Sequence, residues 1–527
     1  MPPVLTSRHE RWFALLSGAL LAASFPKFGH SALAWIALTP LIVASTSRTR
    51  RRGSILSVAT LGLLAGFVYF AGTLYWVVNV MATFGDLPTI AAALIGLLLV
   101  AYLAIYPAAF ASLLCVAIRQ FGLAGVWLAP AFWVATEWLR STAGSGFPWV
   151  LLGSSQSSAL PIVQAASVVG VYGLSALVAL VGAAAAAGVL GRARVHRAGA
   201  VVVALLVGIT ALWGAWRVNR GELTHTGDPV RVGLVQGSIA QEDKYDPAHS
   251  VAIMERYIAL SRQVLAAGAA LVIWPEAATP FYFDLDAVLA QPVRQLAAQS
   301  HTPFLIGSDD FERGTAAAVD RYYNAAVLVG PDGRSQAVYR KQQLVPFGEY
   351  VPLKSLLFFV GPLIQAVSDF SPGAKAVVFD ANGRRFSVAI CYESVYPGIA
   401  RDFVRAGSEL LATITNDAWF GRSSAAYQHF AQGSLRAVEE GRYVVRAANT
   451  GVSGAVDPYG RVLLTTQLFT PAAVTVDVRL LRSRTIYSRT GDLVVWVSVA
   501  ASALVALAAF RRDPLAIRVG PAPGTRT

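Results

Sequence analysis

The chain has 527 residues, of which 55% are hydrophobic and only 14% charged, and it carries a formal net charge of +13. A soluble enzyme of this size has about 25% charged residues, so the composition argues for an integral membrane protein. The basic surplus forms no stripe interleaved with aromatics, which speaks against nucleic-acid binding. Two cysteines rule out a disulfide framework, and seven scattered histidines without zinc-ligand spacing speak against a metal site.

Apolar runs of about 20 residues suffice to cross a bilayer. Such runs fall near residues 11–26, 31–47, 54–81, 87–117, 122–140, 159–190, 198–217 and 491–510, which predicts about eight spans. The first run is followed by Ser24-Phe-Pro-Lys-Phe-Gly, a poor cleavage site, so it reads as a span rather than a signal peptide. Arg48, Arg50, Arg51 and Arg52 follow the second run, Arg119 the fourth, Arg192, Arg194 and Arg197 the sixth, and Arg511 and Arg512 the last. If every run crosses, these loops share one side, and the positive-inside rule makes it the cytoplasm. Both termini are then expected to be cytoplasmic, with 218–490 on the extracytoplasmic face. Gly62-x-x-x-Gly66 reads as a helix-packing motif, and Glu137 and Arg140, near the end of the fifth run, as a structural pair or a head-group contact.

Residues 218–490 hold most of the acids and alternate between strand and helix patterns. Strands are predicted at 231–236, 270–275, 302–307 and 409–415, helices at 248–267, 285–300 and 423–440, and further strands at 443–456 and 461–477. Pro331-Asp-Gly and Ala381-Asn-Gly read as hairpin turns. This pattern predicts a layered α/β domain.

Three segments of that domain end on chemistry. Phe386-Ser-Val-Ala-Ile-Cys391-Tyr-Glu393 is an apolar strand that stops at a thiol. A thiolate is a strong nucleophile, and backbone N–H groups of the following turn are placed to bind an oxyanion. Cys115, inside the fourth apolar run, reads as a small buried hydrophobe. Ala270-Leu-Val-Ile-Trp-Pro-Glu276 ends on a carboxylate, whose pKa partial burial is expected to raise, as suits a general base. Tyr339-Arg-Lys341 supplies an ammonium to steady a thiolate or an oxyanion. Glu349, after Phe347-Gly348, either caps a turn or joins the same polar pocket. Glu276, Lys341 and Cys391 together suggest an acyl-transfer site.

Trp274-Pro-Glu276, Tyr339-x-Lys341-x-x-Leu-Val-Pro-Phe-Gly-Glu349-Tyr-Val-Pro352 and Cys391-Tyr-Glu393 resemble the nitrilase (carbon–nitrogen hydrolase) superfamily. Together with the membrane runs they narrow the resemblance to the apolipoprotein N-acyltransferase family, over nearly the whole chain. Glu137-Trp-Leu-Arg140, Gly146-Phe-Pro-Trp149, Val235-Gln-Gly237, Tyr323-Asn324 and Thr415-Asn-Asp-Ala-Trp-Phe420 agree. The resemblance implies a polytopic α-helical membrane domain with a nitrilase-like αββα sandwich: 1–217 in the membrane, 218–490 catalytic, 491–510 a last span and 511–527 a cytoplasmic tail. It implies a Glu276-Lys341-Cys391 triad, with Glu349, Tyr392, Glu393, Tyr245 and Asn324 in supporting or substrate-binding roles. Tyr245 stands in Lys244-Tyr245-Asp246, where the family often has tryptophan. The implied reaction moves an acyl chain from a phospholipid, expected to be phosphatidylethanolamine, through a Cys391 thioester to the amine of a diacylglyceryl-cysteine apolipoprotein. No cofactor, metal or nucleic acid is implied. The expected setting is a monomer in a bacterial inner membrane with its catalytic domain periplasmic.

Leu353–Ile364 and Thr279-Pro-Phe-Tyr-Phe283 are each expected either to dip into the membrane interface or to pack in the core. Two other functions fit parts of the sequence: a membrane-tethered C–N hydrolase of small molecules, and a non-catalytic membrane scaffold. The many spans count against the first, the intact triad against the second.

Overall fold

The computed structural model describes residues 6–85, 87–191, 193–244, 246–314, 319–350 and 369–512. Tyr245, the Leu353–Ile364 segment and most of the tail lie outside the described residues. The chain folds as two compact units. One holds Met1–Val78, Ile90–Trp216 and Asp492–Thr527, the other Asn79–Thr89 and Arg217–Gly491.

The first unit is helical. Five stretches among the described residues are long and apolar enough to cross a bilayer: Ile55–Leu74, Thr89–Thr142, Ala166–Leu190, Arg194–Thr224 and Leu493–Arg511. The first predicted run is the 17-residue helix Ser7–Ala23. The second is broken at Leu38 into Ser31–Ala37 and Thr39–Arg50, where Pro40 starts a new helix at a position that needs no N–H. The third stops at Leu74 and resumes at Trp76. The runs at 87–117 and 122–140 join through a 3₁₀ turn, Gly122–Leu128.

Ion pairs and small residues hold this unit together. Glu10 is buried and takes Arg48 and Arg51 as partners, so two of the topology-signalling arginines also join Ser7–Ala23 to the end of Thr39–Arg50. Gly62 permits a close helix approach: a Cβ there would lie 2.2 Å from the Pro107 carbonyl oxygen. Glu137 and Arg140 serve a loop. The Leu152 N–H donates to Glu137 Oε1 at 2.6 Å, and Arg140 donates to the carbonyls of Phe147 and Trp149 at 2.8 and 2.7 Å. Cys115 is buried beside Val58 and Ala111.

The second unit is built on two six-stranded sheets. In chain order the first contains β1 (Asp228–Gln236), β2 (Leu271–Ile273), β3 (Phe304–Glu312), β4 (Arg321–Val329) and β5 (Ser335–Arg340). The second contains β6 (Phe379–Ala381), β7 (Arg384–Ile390), β8 (Leu410–Thr415), β9 (Val444–Ala448), β10 (Gly454–Val456) and β11 (Val462–Thr465). The last strand, β12 (Ala472–Leu480), returns to the edge of the first sheet. The orders are β12-β1-β2-β3-β4-β5 and β11-β10-β9-β8-β7-β6. β1, β2 and β3 run parallel, as do β7, β8 and β9. Helices Ser250–Ala266 and Ala287–Ser300 pack with the first sheet, and Pro397–Arg405 and Ala425–Glu440 with the second, in the expected αββα sandwich.

Trp274 shows how the core sets the site. It is fully buried, stacks on Tyr257 with centroids 4.7 Å apart, and donates from its indole nitrogen to Ser261 Oγ at 2.8 Å. A buried indole needs such a partner. Two residues later the chain crosses β3 at Gly307, where a Cβ would lie 2.1 Å from the Pro275 carbonyl oxygen and 2.7 Å from Glu276 Cα. Only glycine lets the Glu276 backbone lie this close. Thr279–Phe283, one candidate for an interfacial dip, is anchored inside at both ends, where Phe283 belongs to the buried core and Thr279 Oγ1 donates to Ser308 Oγ at 2.8 Å, while Pro280, Phe281 and Tyr282 between them are half-buried.

Gly307→Ala is expected to push the Glu276 segment outward and to destabilise the protein by about 1–3 kcal/mol, the usual cost of overpacking. Thermal unfolding and turnover measured together check this. Unchanged activity at unchanged stability would show that the close approach does not matter.

Candidate active site

The site lies where strands end. Glu276 follows β2, Lys341 follows β5, Cys391 follows β7, and Asn416 and Asp417 follow β8. Parallel α/β sheets gather ligand-binding groups at the carboxyl ends of their strands in this way.

The acid and the amine come from the first sheet. Lys341 is buried and donates from Nζ to Glu349 Oε1 at 2.8 Å and to Glu276 Oε1 at 3.3 Å. Asn324, on β4, donates to the same two oxygens at 2.8 and 2.7 Å. The register explains the pairing. Ala325 faces Arg340 across the β4–β5 ladder, which puts Asn324 beside Lys341, and the Lys341 N–H donates to the Asn324 carbonyl at 2.8 Å. The remaining carboxylate oxygens take backbone donors: Val345 N–H to Glu349 Oε2 at 2.8 Å and Asn416 N–H to Glu276 Oε2 at 2.7 Å.

The thiol comes from the second sheet. Cys391 opens the 3₁₀ turn Cys391–Val395 with φ +51°, a left-handed conformation that costs a non-glycine residue about 1–3 kcal/mol. Glu393 fastens that turn. Its Oε1 accepts from Tyr339 Oη at 2.8 Å and from the N–H groups of Gln342 and Gln343 at 2.6 and 3.1 Å, and its Oε2 from the Ile390 N–H at 2.7 Å. Glu393 therefore ties the Cys391 turn to the segment that follows Lys341. Tyr392 is buried and meets Tyr396 edge to face at 5.2 Å.

Charge decides the resting protonation. Burial alone lifts Glu276, but Lys341, Asn324, Lys244 and the Asn416 N–H outweigh it and hold the carboxyl below its ordinary range. The expectation of a raised pKa for Glu276 is thus overturned: its cationic partners come from segments far away in the sequence. Burial lowers Lys341, yet Glu349, Glu276 and Cys391 lift it well above the usual lysine range. Burial, then the Glu276 charge, push the Cys391 thiol far up against the pull of Lys341. At neutral pH the site is a carboxylate, an ammonium and a neutral thiol. Burial also lifts Glu393 to about 7, opposed by Ile390 N–H, Lys341 and its other donors.

The structure brings Glu276, Lys341, Glu349 and Asn324 into one hydrogen-bonded cluster, and the charges of Glu276 and Lys341 act directly on Cys391. Glu393 and Tyr392 belong to the turn that presents the thiol. Sequence reasoning missed Lys244 and Asp309. Lys244 is buried, donates to the Glu276 carbonyl oxygen at 3.2 Å, and is lowered by burial to about 8 against Glu276 and Asp309. Asp309 faces Asn324 across β3–β4 and is lifted by burial to about 7. A charge breaking an apolar strand, as Ser308-Asp309-Asp310 does, was the available signal. Among the described residues no group of histidine, cysteine and acidic side chains is placed to hold a metal.

Two family models match the chain: the apolipoprotein N-acyltransferase N-terminal domain over residues 17–184 and carbon-nitrogen hydrolase over 231–486. The apolipoprotein N-acyltransferase of Geobacter metallireducens is 40% identical over 517 residues, covering 96% of each chain. That of Gloeobacter violaceus is 36% identical over 515 residues (94% of this chain, 93% of the relative), and that of Methylococcus capsulatus 35% over 488 (91% and 92%). Among solved structures, an amidase from Nesterenkonia sp. aligns with 49% of this chain and 93% of its own at 20% identity and TM-score 0.37.

Lys244 lowers the Glu276 pKa, so removing its charge raises it. Lys244→Met is expected to move the acid limb of Cys391 acylation toward higher pH, and Lys244→Arg to leave it in place. A pH profile of the acylation rate checks this, and an unmoved limb in the Met variant would remove Lys244 from the site's electrostatics.

Proposed function

Since the chain belongs to the apolipoprotein N-acyltransferase family, we propose that this membrane enzyme N-acylates lipoproteins by way of a Cys391 thioester, with a phospholipid as acyl donor. The observation that carries the reading is the cluster itself: a buried carboxylate, ammonium and thiol drawn from the ends of β2, β5 and β7.

In the first half-reaction a phospholipid ester carbonyl enters beside Cys391. Glu276 takes the Sγ proton as the sulfur attacks the carbonyl carbon. Lys341 and the Tyr392 N–H carry the oxyanion charge. The intermediate collapses, the ester C–O bond breaks, and Glu276 returns the proton to the leaving glycerol oxygen. A lysophospholipid departs and the acyl chain stays on Sγ. In the second half-reaction the amine of a diacylglyceryl-cysteine attacks the thioester and gives a proton to Glu276. The C–S bond breaks and the proton returns to sulfur. This is ping-pong covalent catalysis.

The resting thiol fits this order. A neutral Cys391 in a buried site is no free thiolate for stray electrophiles, and in this reading Glu276 is the base that takes its proton. Phosphatidylethanolamine is the expected donor. A sixteen-carbon chain costs on the order of 10 kcal/mol to expose to water, which supports a thiol working at the bilayer surface. In this reading 1–217 and 491–510 embed the protein in a bacterial inner membrane, 218–490 catalyses on the periplasmic side, and the enzyme acts as a monomer. Tyr245 is assigned to substrate contact beside Lys244.

The test is direct. The purified protein, incubated with acyl-labelled phosphatidylethanolamine, is expected to gain one hydroxylamine-sensitive acyl group on Cys391, which a diacylated lipopeptide then removes as an amide. Cys391→Ala is expected to abolish the adduct, and Lys341→Met to slow its formation by about 10²–10³, as loss of an oxyanion donor does. A wild-type protein that transfers the chain with no label on Cys391 sinks the reading.

A further inference from the structure

Behind the nucleophile lies a fully buried polar group that the steps above leave unused: Asp417 and His429 with Arg446, from the end of β8, helix Ala425–Glu440 and β9. Both ring nitrogens of His429 are engaged. Nε2 lies 3.0 Å from the Cys391 carbonyl oxygen and 3.0 Å from Ser394 Oγ, whose hydroxyl donates to the same carbonyl at 2.9 Å. Nδ1 lies 3.0 Å from an Arg446 guanidinium nitrogen and 3.1 Å from Asp417 Oδ1. The same guanidinium nitrogen reaches Asp417 Oδ2 at 2.8 Å.

Donor rules and charge together place the proton. A carbonyl oxygen only accepts, so the Cys391 contact requires hydrogen on Nε2. At Nδ1 two neighbours compete: Arg446 only donates and asks for a lone pair, whereas the Asp417 carboxylate only accepts and asks for a proton. The Arg446 contact is the shorter, and Arg446 already supplies both Asp417 oxygens with a donor, at 3.1 and 2.8 Å. Charge agrees. Arg446 and Asp417 already cancel, and a second cation would leave this buried cluster with net charge. Burial, then Arg446, hold His429 below its ordinary range, while Asp417 pulls it up. The second nitrogen's partner sets the tautomer, as it does for histidines that bind metals.

We infer that His429 is a positioning residue for the nucleophile: kept by Arg446 in the tautomer with its proton on Nε2, it grips the Cys391 carbonyl and so holds the left-handed backbone that presents the thiol. The network reaches the end of β8: Thr415 donates from Oγ1 to Asp417 Oδ1 at 2.8 Å. Gly451 packs against it so closely that a Cβ there would sit 2.1 Å from Asp417 Oδ2. This assignment rests on Cys391 being the nucleophile.

The tautomer can be read in the unmutated chain. The full-length protein in lipid bilayers carries ring-¹⁵N histidine and carbonyl-¹³C cysteine, and dipolar recoupling selects the imidazole beside a cysteine carbonyl. Cys115 sits among Val58, Ala111 and Ile55, so the selected ring is His429. The expected result is a protonated Nε2 and a bare Nδ1. A proton on Nδ1, alone or with Nε2, overturns the inference. Kinetics supply the second arm. His429→Leu is expected to slow acyl-enzyme formation on the order of 100-fold, the loss expected from misplacing a reacting group by about 1 Å. The KM for phospholipid should stay within about twofold. His429→Gln, which keeps an N–H donor, should recover about tenfold of the rate, and equal rates in the Leu and Gln variants overturn the inference. If the Leu variant does not fold, the spectrum decides alone. If the wild-type protein forms no thioester, the reading of its function fails while the tautomer result stands.

Discussion

A lysine ammonium held between two buried carboxylates is the interaction on which the catalytic unit depends. Moving each such ion out of water costs several kcal/mol, which only close geometry and further hydrogen bonds offset. Lys341 meets that condition. Its partners Glu276 and Glu349 share Asn324 as a second donor, and each also takes a backbone N–H. Two acids and one lysine leave one negative charge, which Lys244 offsets, and Asp309 adds little to it because burial lifts its pKa to about 7. Burial first, and then the Glu276 charge, keep the thiol protonated. A thiolate would add a charge beside Glu276 with no further cation to meet it. Ionisation of Cys391 is therefore tied to the moment a carbonyl arrives and takes up the electrons.

The two sheets divide the labour. The first supplies the acid, the ammonium and Asn324. The second supplies the nucleophile and the His429 group behind it. Correct function needs the two halves in fixed register to within a fraction of an ångström. Side chains and backbone from each half cross to the other. Glu393, in the Cys391 turn, accepts from Gln342 and Gln343 just after Lys341. Asn416, after β8, donates from its backbone to Glu276. Asn449, after β9, accepts from the Ile239 N–H and donates to the Ile239 carbonyl and to Asn416 Oδ1. Each link uses a buried polar group with full partners, the kind of network that specifies one arrangement rather than several.

Much of this was legible from residues near one another in sequence. A short continuous apolar run announces a buried strand, and a charge or thiol at its end announces chemistry. β1, β2, β7 and β8 and the residues that follow them could be read in that way. What failed was anything set by partners distant in the chain. Glu276 lies 65 positions from Lys341, so its burial could be guessed from Trp274-Pro275 but not the cations that reverse its effect. Lys244 was passed over because nothing local says it turns inward, and Asp309 because its one local signal, a charge breaking an apolar strand, names no partner. His429 was one of seven scattered histidines, inside the helix expected at 423–440, and its role emerges only from where β7, β8 and β9 bring their ends. In the membrane unit, hydropathy located the runs but not their breaks. It averages over residues, whereas the interruption at Leu38 arises from one proline and the 3₁₀ turn at 122–128 from backbone geometry.

The backbone at Cys391 joins these threads. A strand that runs straight on would send its next side chain to the opposite face. A positive φ at Cys391 instead turns the chain at once into the 3₁₀ turn Cys391–Val395. That geometry is unfavourable for a residue with a Cβ, so something must hold it. Ser394 and His429 hold the Cys391 carbonyl, and Glu393 takes the Ile390 N–H one residue earlier. The strained peptide is thus gripped on both sides by groups that are themselves buried and partnered. Strain of this kind persists only where its surroundings over-determine it. The cost is met in the folding of the second sheet and not at each turnover.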